Sequence, residues 1–314
     1  MAERQLLADV GGTNTRVALA DAGGIMPDTI RAFRNSGFPG LAPLLATYLD
    51  ALRPGGVAAL CAAVAGPVRG DTAQLTNHDW FIAAPEVRSA TGTAAVYLIN
   101  DLQAQGHALD DLPAEHVTPV LHGHSAPQNA PRLVLNLGTG CNAAAVHRTG
   151  GSLFVPAAES GHSALPHVTG RAAALLDHLR TRHPHLPVEA ALSGPGLANI
   201  HEWVTGTRRT AAEVVADHEA GAADARDTLD LFARLLGTVA GSLALHHMPM
   251  GGIFLSGGTA RAVARHLPAL GFRDTFEARG PYTDIVRQVP VSVITSDDFA
   301  LAGCARYLRQ TAGG

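Results

Sequence analysis

The stretch Leu6-Leu7-Ala8-Asp9-Val10-Gly11-Gly12-Thr13-Asn14-Thr15-Arg16-Val17-Ala18-Leu19-Ala20 decides how this chain is read. An apolar run ends in an acid, turns through two glycines and a threonine, and resumes as a second apolar run. The pattern predicts a strand, a tight turn and a returning strand, with Asp9 at the edge of the turn. Adjacent glycines let backbone N–H groups approach a bulky anion, and the Thr13 hydroxyl adds a donor. An acid beside such a cradle can hold the magnesium ion that accompanies a polyphosphate. Alone, a Gly-Gly hairpin is more often a plain turn, so the rest of the chain has to choose.

The motif has an echo. Leu133-Val134-Leu135-Asn136-Leu137-Gly138-Thr139-Gly140 again runs from apolar residues into a Gly/Thr turn. Gly23-Gly24 follows Gly11 by twelve residues, Gly150-Gly151 follows Gly138 by twelve, and the two patterns are offset by 127. Equal spacing of two turn pairs predicts two related halves, each presenting a Gly/Thr turn that could grip a polyphosphate across a cleft.

At 314 residues the chain exceeds a single comfortable core. Apolar residues make up 46% and charged residues 16%, a globular rather than a disordered balance. A net charge of −4 supplies no field for nucleic acid or an anionic membrane, so neither partner is expected. All 23 basic residues are arginine. Without lysine there is no P-loop, no protein-kinase strand lysine and no Schiff-base chemistry. Phosphates would have to be held by backbone amides, magnesium and arginine. The 3 cysteines lack metal or disulfide spacing and fit a reducing cytoplasm, and the first residues lack the features of a signal peptide. No apolar run approaches the roughly 18–20 residues of a membrane span. The histidine pairs His122/His124, His183/His185 and His246/His247 have no matching ligand cluster and read as surface or packing residues.

Strands are expected at 57–65, 94–99, 253–256 and 289–295. Helices are expected at 39–52, 170–182, 224–247 and 259–266, with a last one opened by Asp297-Asp298. Alternation of the two makes the fold α/β. The Pro-, His- and Gly-rich stretch 112–131 reads as a loop and marks the domain boundary. Residues 1–112, joined by a helix at 297–314, form a small lobe, and 113–296 a large one.

Asn100-Asp101 directly follows the strand Val96-Tyr97-Leu98-Ile99, where open α/β sheets place their ligands. The pair is either a helix cap or a general base that takes a proton from an attacking hydroxyl. Asn100, Asp101, Glu159, His162 and Glu189 would suit the hydroxyls of one hexose. Ser193-Gly194-Pro195-Gly196-Leu197 reads first as a helix-start turn. Phe254-Leu255-Ser256-Gly257-Gly258 places a third Gly-rich turn at a strand end.

Six motifs together resemble the bacterial ATP-dependent glucokinase family of the sugar kinase/Hsp70/actin superfamily. They are Asp9–Arg16, Thr76-Asn77-His78-Asp79-Trp80, Ile99-Asn100-Asp101, Glu159-Ser160-Gly161-His162, Leu192–Leu197 and Phe254–Gly258, in the family's order. The resemblance implies a two-lobed RNase H-like fold of actin/hexokinase type with a central interlobe cleft. It implies a cytoplasmic enzyme that phosphorylates glucose at its 6-hydroxyl, the first step of glycolysis. ATP would be bound by Ala8, Asp9, Val10, Gly11, Gly12 and Thr13, by Gly138, Thr139 and Gly140, and at Gly257 and Gly258. Asp9 would hold Mg2+ through water, and Asp101 would be the base. Asn100, Glu159, His162 and Glu189 would contact the sugar. The resemblance leaves room for a homodimer.

The chain departs from the family at Ala8, where glycine is usual, at Ser160, and at Cys141-Asn142, where the second turn ordinarily continues Leu-Gly. Asn142 tolerates φ > 0, so the turn's geometry can survive the change, and its side chain could also meet a phosphate or ribose. The cysteine cluster of the related repressor/kinase group is absent, and no DNA-binding extension is expected. A kinase for mannose, fructose or an N-acetylated amino sugar, and a sugar sensor that transfers no phosphate, are the competing readings.

Overall fold

A computed structural model of the chain describes residues 4–296 and 299–312. It divides into two compact units, one drawn from Met1–Leu112, Ser152–Ala157 and Ser296–Gly314, the other from Pro113–Gly151 and Ala158–Thr295.

The quoted stretch forms β1 (Arg4–Val10) and β2 (Asn14–Asp21), paired antiparallel with Asp9 facing Arg16. The short strands β3 (Gly24–Ile25) and β4 (Arg31–Arg34) both pair with β2. Helix α1 (Leu41–Leu52) buries Leu41, Leu44, Leu45 and Tyr48, the face its spacing predicts. β5 (Val57–Val64) joins β1 in parallel. A small antiparallel sheet of β6 (Val68–Arg69), β7 (Thr72–Gln74) and β8 (Phe81–Ala83) follows, then α2 (Ala84–Thr91). β9 (Ala95–Asn100) pairs in parallel with β5 and runs straight into α3 (Asp101–Ala108). The resulting order is β3-β2-β1-β5-β9.

In unit two, β10 (Val117–Leu121) lies inside the stretch expected to be a loop. It is the edge strand of its sheet, a place that admits Pro119, whose missing N–H would break a central ladder. The echo forms β11 (Arg132–Leu137) and β12 (Cys141–Thr149), again an antiparallel hairpin, here with Asn136 facing Asn142. Gly150 and Gly151, at φ 59° and 95°, turn the chain into β13 (Ser152–Phe154). Residues 152–157, expected in the large lobe, belong to unit one, where Leu153 and Val155 are buried and Gln103 Nε2 donates to Val155 O at 2.8 Å.

Helices α4 (Arg171–Arg180), α5 (Gly194–Thr205), α6 (Ala211–Glu219) and α7 (Ala223–His247) follow. β14 (Ile253–Ser256) then pairs in parallel with β11 and leads into α8 (Gly258–Ala264). After α9 (Phe272–Glu277) and α10 (Thr283–Val286), β15 (Val291–Ile294) pairs in parallel with β14. The run β12-β11-β14-β15 repeats β2-β1-β5-β9: a hairpin, then parallel strands reached by crossovers. Length and composition would let α7 cross a membrane, contrary to the expectation that no run is long enough, yet 67% of its most apolar window is buried inside the unit.

The last helix, α11 (Phe299–Ala312), returns to unit one. Leu301, Cys304, Ala305 and Leu308 pack against Leu7, Cys61, Ala63 and Ile99 on one face of the sheet. Leu6, Ala8, Val10, Leu60, Ala62 and Val64 bury the other face with α1 and α2. Alternate residues of β1 and β5 thus serve opposite faces, which is why both strands read as continuous apolar runs. Asp297 and Asp298, expected to open this helix, lie outside the described residues.

Candidate active site

The first turn is held from behind. The Gly11 N–H donates to Asn14 O at 3.0 Å. Asn35, fully buried, donates from Nδ2 to Gly11 O at 2.8 Å and Gly12 O at 3.2 Å, and its own N–H donates to Thr13 O. Its Oδ1 accepts from Thr15 Oγ1 at 2.8 Å. Three successive carbonyls of the turn are therefore occupied by one residue, and Thr13 stays exposed. Neither Gly11 nor Gly12 has a positive φ. Space is tight instead, since a Cβ on Gly12 would stand 3.1 Å from Cβ of Asn77, in the Thr76–Trp80 motif. Ala8 is buried, and its carbonyl faces Cys304 Sγ at 3.7 Å. Asp9 Oδ2 lies 3.8 Å from Arg16 Nη1, with both side chains partly exposed.

Asn100 and Asp101 sit where strand gives way to helix. Asn100 Oδ1 accepts from Leu102 N at 3.0 Å, and Gln103 Oε1 accepts from Asn100 N, a reciprocal capping box. Asn100 Nδ2 donates to Gly66 O at 3.2 Å. The cap and the functional reading therefore coincide in position: the buried amide of Asn100 fixes the backbone from which Asp101 projects. Asp101 Oδ1 accepts from Leu102 N at 3.0 Å.

The second turn is braced by neighbours within its own unit. Gly138 N donates to Gly140 O, and Gly138 O accepts from Gly194 N at 2.8 Å and Thr259 Oγ1 at 3.3 Å. Ser193 caps α5 by accepting from Gly196 N at 2.9 Å, and its hydroxyl donates to Glu189 O at 2.8 Å. Asn136 Nδ2 donates to Ser256 Oγ. Gly257 has φ +92°, and a Cβ there would meet Leu137 O at 2.5 Å, so this position requires glycine on two counts. The three Gly-rich elements, at Gly138, Gly194 and Gly257, converge through these bonds.

Unit two also gathers its acids. His162 Nδ1 is 3.7 Å from Glu189 Oε1, and a Cβ on Gly140 would stand 3.0 Å from Glu189 Oε2. Glu159 keeps an exposed edge, yet partial burial of its carboxyl raises its pKa; His162 opposes that rise and Glu189 adds to it. Gly161 is locked in place, since a Cβ there would overlap the carbonyl of Cys141. Burial, with the Glu189 charge adding, pushes the Cys141 thiol up to about 12, which leaves it inert.

Asn142 departs from expectation. It lies in the extended strand β12, not at positive φ. Its amide reaches Ala158, Glu159 and Ser160, because strand geometry carries the side chain to that segment. Asn35 escaped the sequence reading altogether. Among the described residues no group of three or more His, Cys, Asp or Glu could hold a metal by itself.

Two units built on one strand order, each carrying a Gly/Thr turn, define a two-lobed sugar kinase of the actin/hexokinase type. A family model described as Glucokinase matches residues 6–311. The chain belongs to the glucokinase family. It is 32% identical to a glucokinase of Klebsiella pneumoniae over 325 aligned residues, covering 100% of this chain and 99% of that protein. A crystal structure of glucokinase from an Antarctic psychrotroph is 31% identical and superposes with a TM-score of 0.86, covering 99% of this chain and 100% of the other. Glucokinase from Balamuthia mandrillaris, solved with glucose, shares the fold at 20% identity, with a TM-score of 0.80 over 98% of this chain and 94% of the other.

Proposed function

We propose that the chain transfers the γ-phosphoryl group of ATP to the 6-hydroxyl of D-glucose, giving glucose 6-phosphate and ADP, the first step of glycolysis. The observation that supports this best is the Asn100–Asp101 junction, which holds a carboxylate at the carboxyl end of β9 by a helix cap and the Gly66 carbonyl. Asp101 takes the proton of the 6-hydroxyl as that oxygen attacks the γ-phosphorus and the bond to the β–γ bridging oxygen breaks. Asn100, Glu159, His162 and Glu189 recognise the sugar hydroxyls, and the carboxylates accept from them.

ATP is assigned to Ala8–Thr13, to Gly138–Gly140 and to Gly257-Gly258, with backbone N–H groups serving where no lysine exists. Asp9 is the carboxylate placed to hold Mg2+. A single carboxylate suits an ion that keeps several waters and takes its remaining ligands from phosphate. When bound, the ion neutralises charge developing on the transferred phosphoryl group. Three unpaired cysteines agree with a reducing compartment, and we place the enzyme in the cytoplasm. A homodimer is the assembly the family resemblance carries over, to be checked by light scattering.

The test is a coupled ADP-release assay with glucose, mannose, fructose and N-acetylglucosamine. Glucose should give the highest kcat/KM. Asp101→Asn should lower kcat by about a hundred- to ten-thousand-fold while leaving glucose binding by calorimetry nearly intact. Near-normal turnover by that variant would sink the role of Asp101, and a better substrate among the other sugars would sink the glucose assignment.

A further inference from the structure

We propose that Asn142 is a positioning residue for the sugar-reading carboxylate Glu159, and so sets affinity for glucose rather than for the nucleotide. The proposal rests on the reading of Glu159 as a glucose contact. Asn142 follows the Gly138–Gly140 turn by two residues, so its place in the sequence points to phosphate. Its bonding points elsewhere. Nδ2 donates to Ala158 O at 2.7 Å and to Glu159 Oε2 at 3.2 Å. Oδ1 accepts from Ala143 N and from Ser160 N, each at 2.8 Å. A carboxamide offers two donor hydrogens and two acceptor lone pairs, and here all of them are used, which leaves none for a phosphate or ribose.

These bonds bracket one residue. Asn142 holds the carbonyl before Glu159, the N–H after it and one of its carboxylate oxygens. At the neighbouring strand position, the Cys141 carbonyl seats Gly161 so closely that no side chain fits there. The segment Ala158–Gly161 is thus latched onto β12 at consecutive residues. Asn142 is 8% exposed, so solvent is a poor substitute for the lost amide. Glycine, which the resemblance implies at this position, could make none of these side-chain bonds. In this chain the amide is an added brace on the sugar side, next to the other groups that face Glu159, namely His162 and Glu189.

The experiment compares the intact chain with Asn142→Gly and Asn142→Asp, varying glucose at saturating ATP and ATP at saturating glucose. Asn142→Gly should raise KM for glucose about tenfold, the worth of one charge-assisted hydrogen bond, with KM for ATP within about twofold of the original. Asn142→Asp is isosteric and keeps the acceptor role, so it reports even if the glycine variant folds poorly. Its second oxygen faces Ala158 O and the Glu159 carboxylate. KM for glucose should rise, and the acid limb of kcat/KM should move to higher pH because a second negative charge favours protonated Glu159. An ATP-selective loss, or an unchanged glucose KM and pH profile in Asn142→Asp, would overturn the proposal. Absence of glucose phosphorylation by the unaltered chain would overturn the functional reading and this role together, whereas an active unaltered chain with indifferent variants removes the positioning role alone.

Discussion

At the scale of single residues, Asn35 carries more than its surroundings in the sequence reveal. Replacing it with alanine leaves the buried Thr15 Oγ1 and the half-buried Gly11 O and Gly12 O without this partner. Asn35→Ala should cost about 2 kcal/mol or more in urea unfolding, and should raise KM for ATP while leaving KM for glucose unchanged. An equal rise in both would mean that the turn is not what Asn35 serves. Glu159 supplies a prediction with a sign. Its raised pKa means that the protonated form persists above the ordinary glutamate range of about 4.3, so kcat/KM for glucose should fall on the acid side at a higher pH than an unperturbed glutamate would give. Glu159→Gln should remove the part of that limb that Glu159 contributes, leaving the part set by the base Asp101. Asp101 stands out in the sequence because it directly follows an apolar strand. Asn35 does not: Arg34-Asn35-Ser36-Gly37 reads as an ordinary surface turn, and its partners are some twenty residues away along the chain. The bonding of Asn142 was hidden for a related reason, because φ tolerance is a property of the residue whereas a strand register is a property of its partners.

Elements show a different division between what the chain declares and what it conceals. The two glycine-bearing hairpins, the long apolar strands and α7 carry strong local patterns, and they form where the patterns lie. The strands β6, β7 and β8 span only two or three residues each, too short for an alternation to register. β10 was hidden by its proline, which marks it as an edge rather than as a loop. Gly257 tests how tightly an element junction is specified. Gly257→Ala must accept φ +92° and a Cβ only 2.5 Å from Leu137 O, so it should destabilise the protein by about 3 kcal/mol or more, read as a lower midpoint in urea. The exposed Gly258, which has open space around its α-carbon, should accept alanine with far less loss. Equal effects at the two positions would contradict the steric account.

At the scale of the molecule, chain order matters as much as packing. One face of the unit-one sheet is covered by α11, which enters only after all of unit two has been made. Residues 1–112 expressed alone should therefore lack a cooperative urea transition, with Leu7, Cys61, Ala63 and Ile99 uncovered. Fusing residues 296–314 to them through a flexible linker should restore the transition. A cooperative 1–112 fragment would show that α11 is dispensable to that core. The fold class was readable because the same hairpin pattern occurs twice, whereas the assignment of Ser152–Ala157 to unit one depends on Gln103 reaching Val155, a contact that no local pattern announces. The buried cysteines have a practical consequence. Cys61, Cys141 and Cys304 are all buried, burial raises the Cys61 and Cys141 thiols, and the chain has no lysine. Maleimide dyes should leave the native protein almost unlabelled, so Glu86→Cys in unit one and Asp284→Cys in unit two would carry a fluorescent pair on a silent background. Energy transfer between the dyes would then report whether added sugar or nucleotide changes the distance between the two labels.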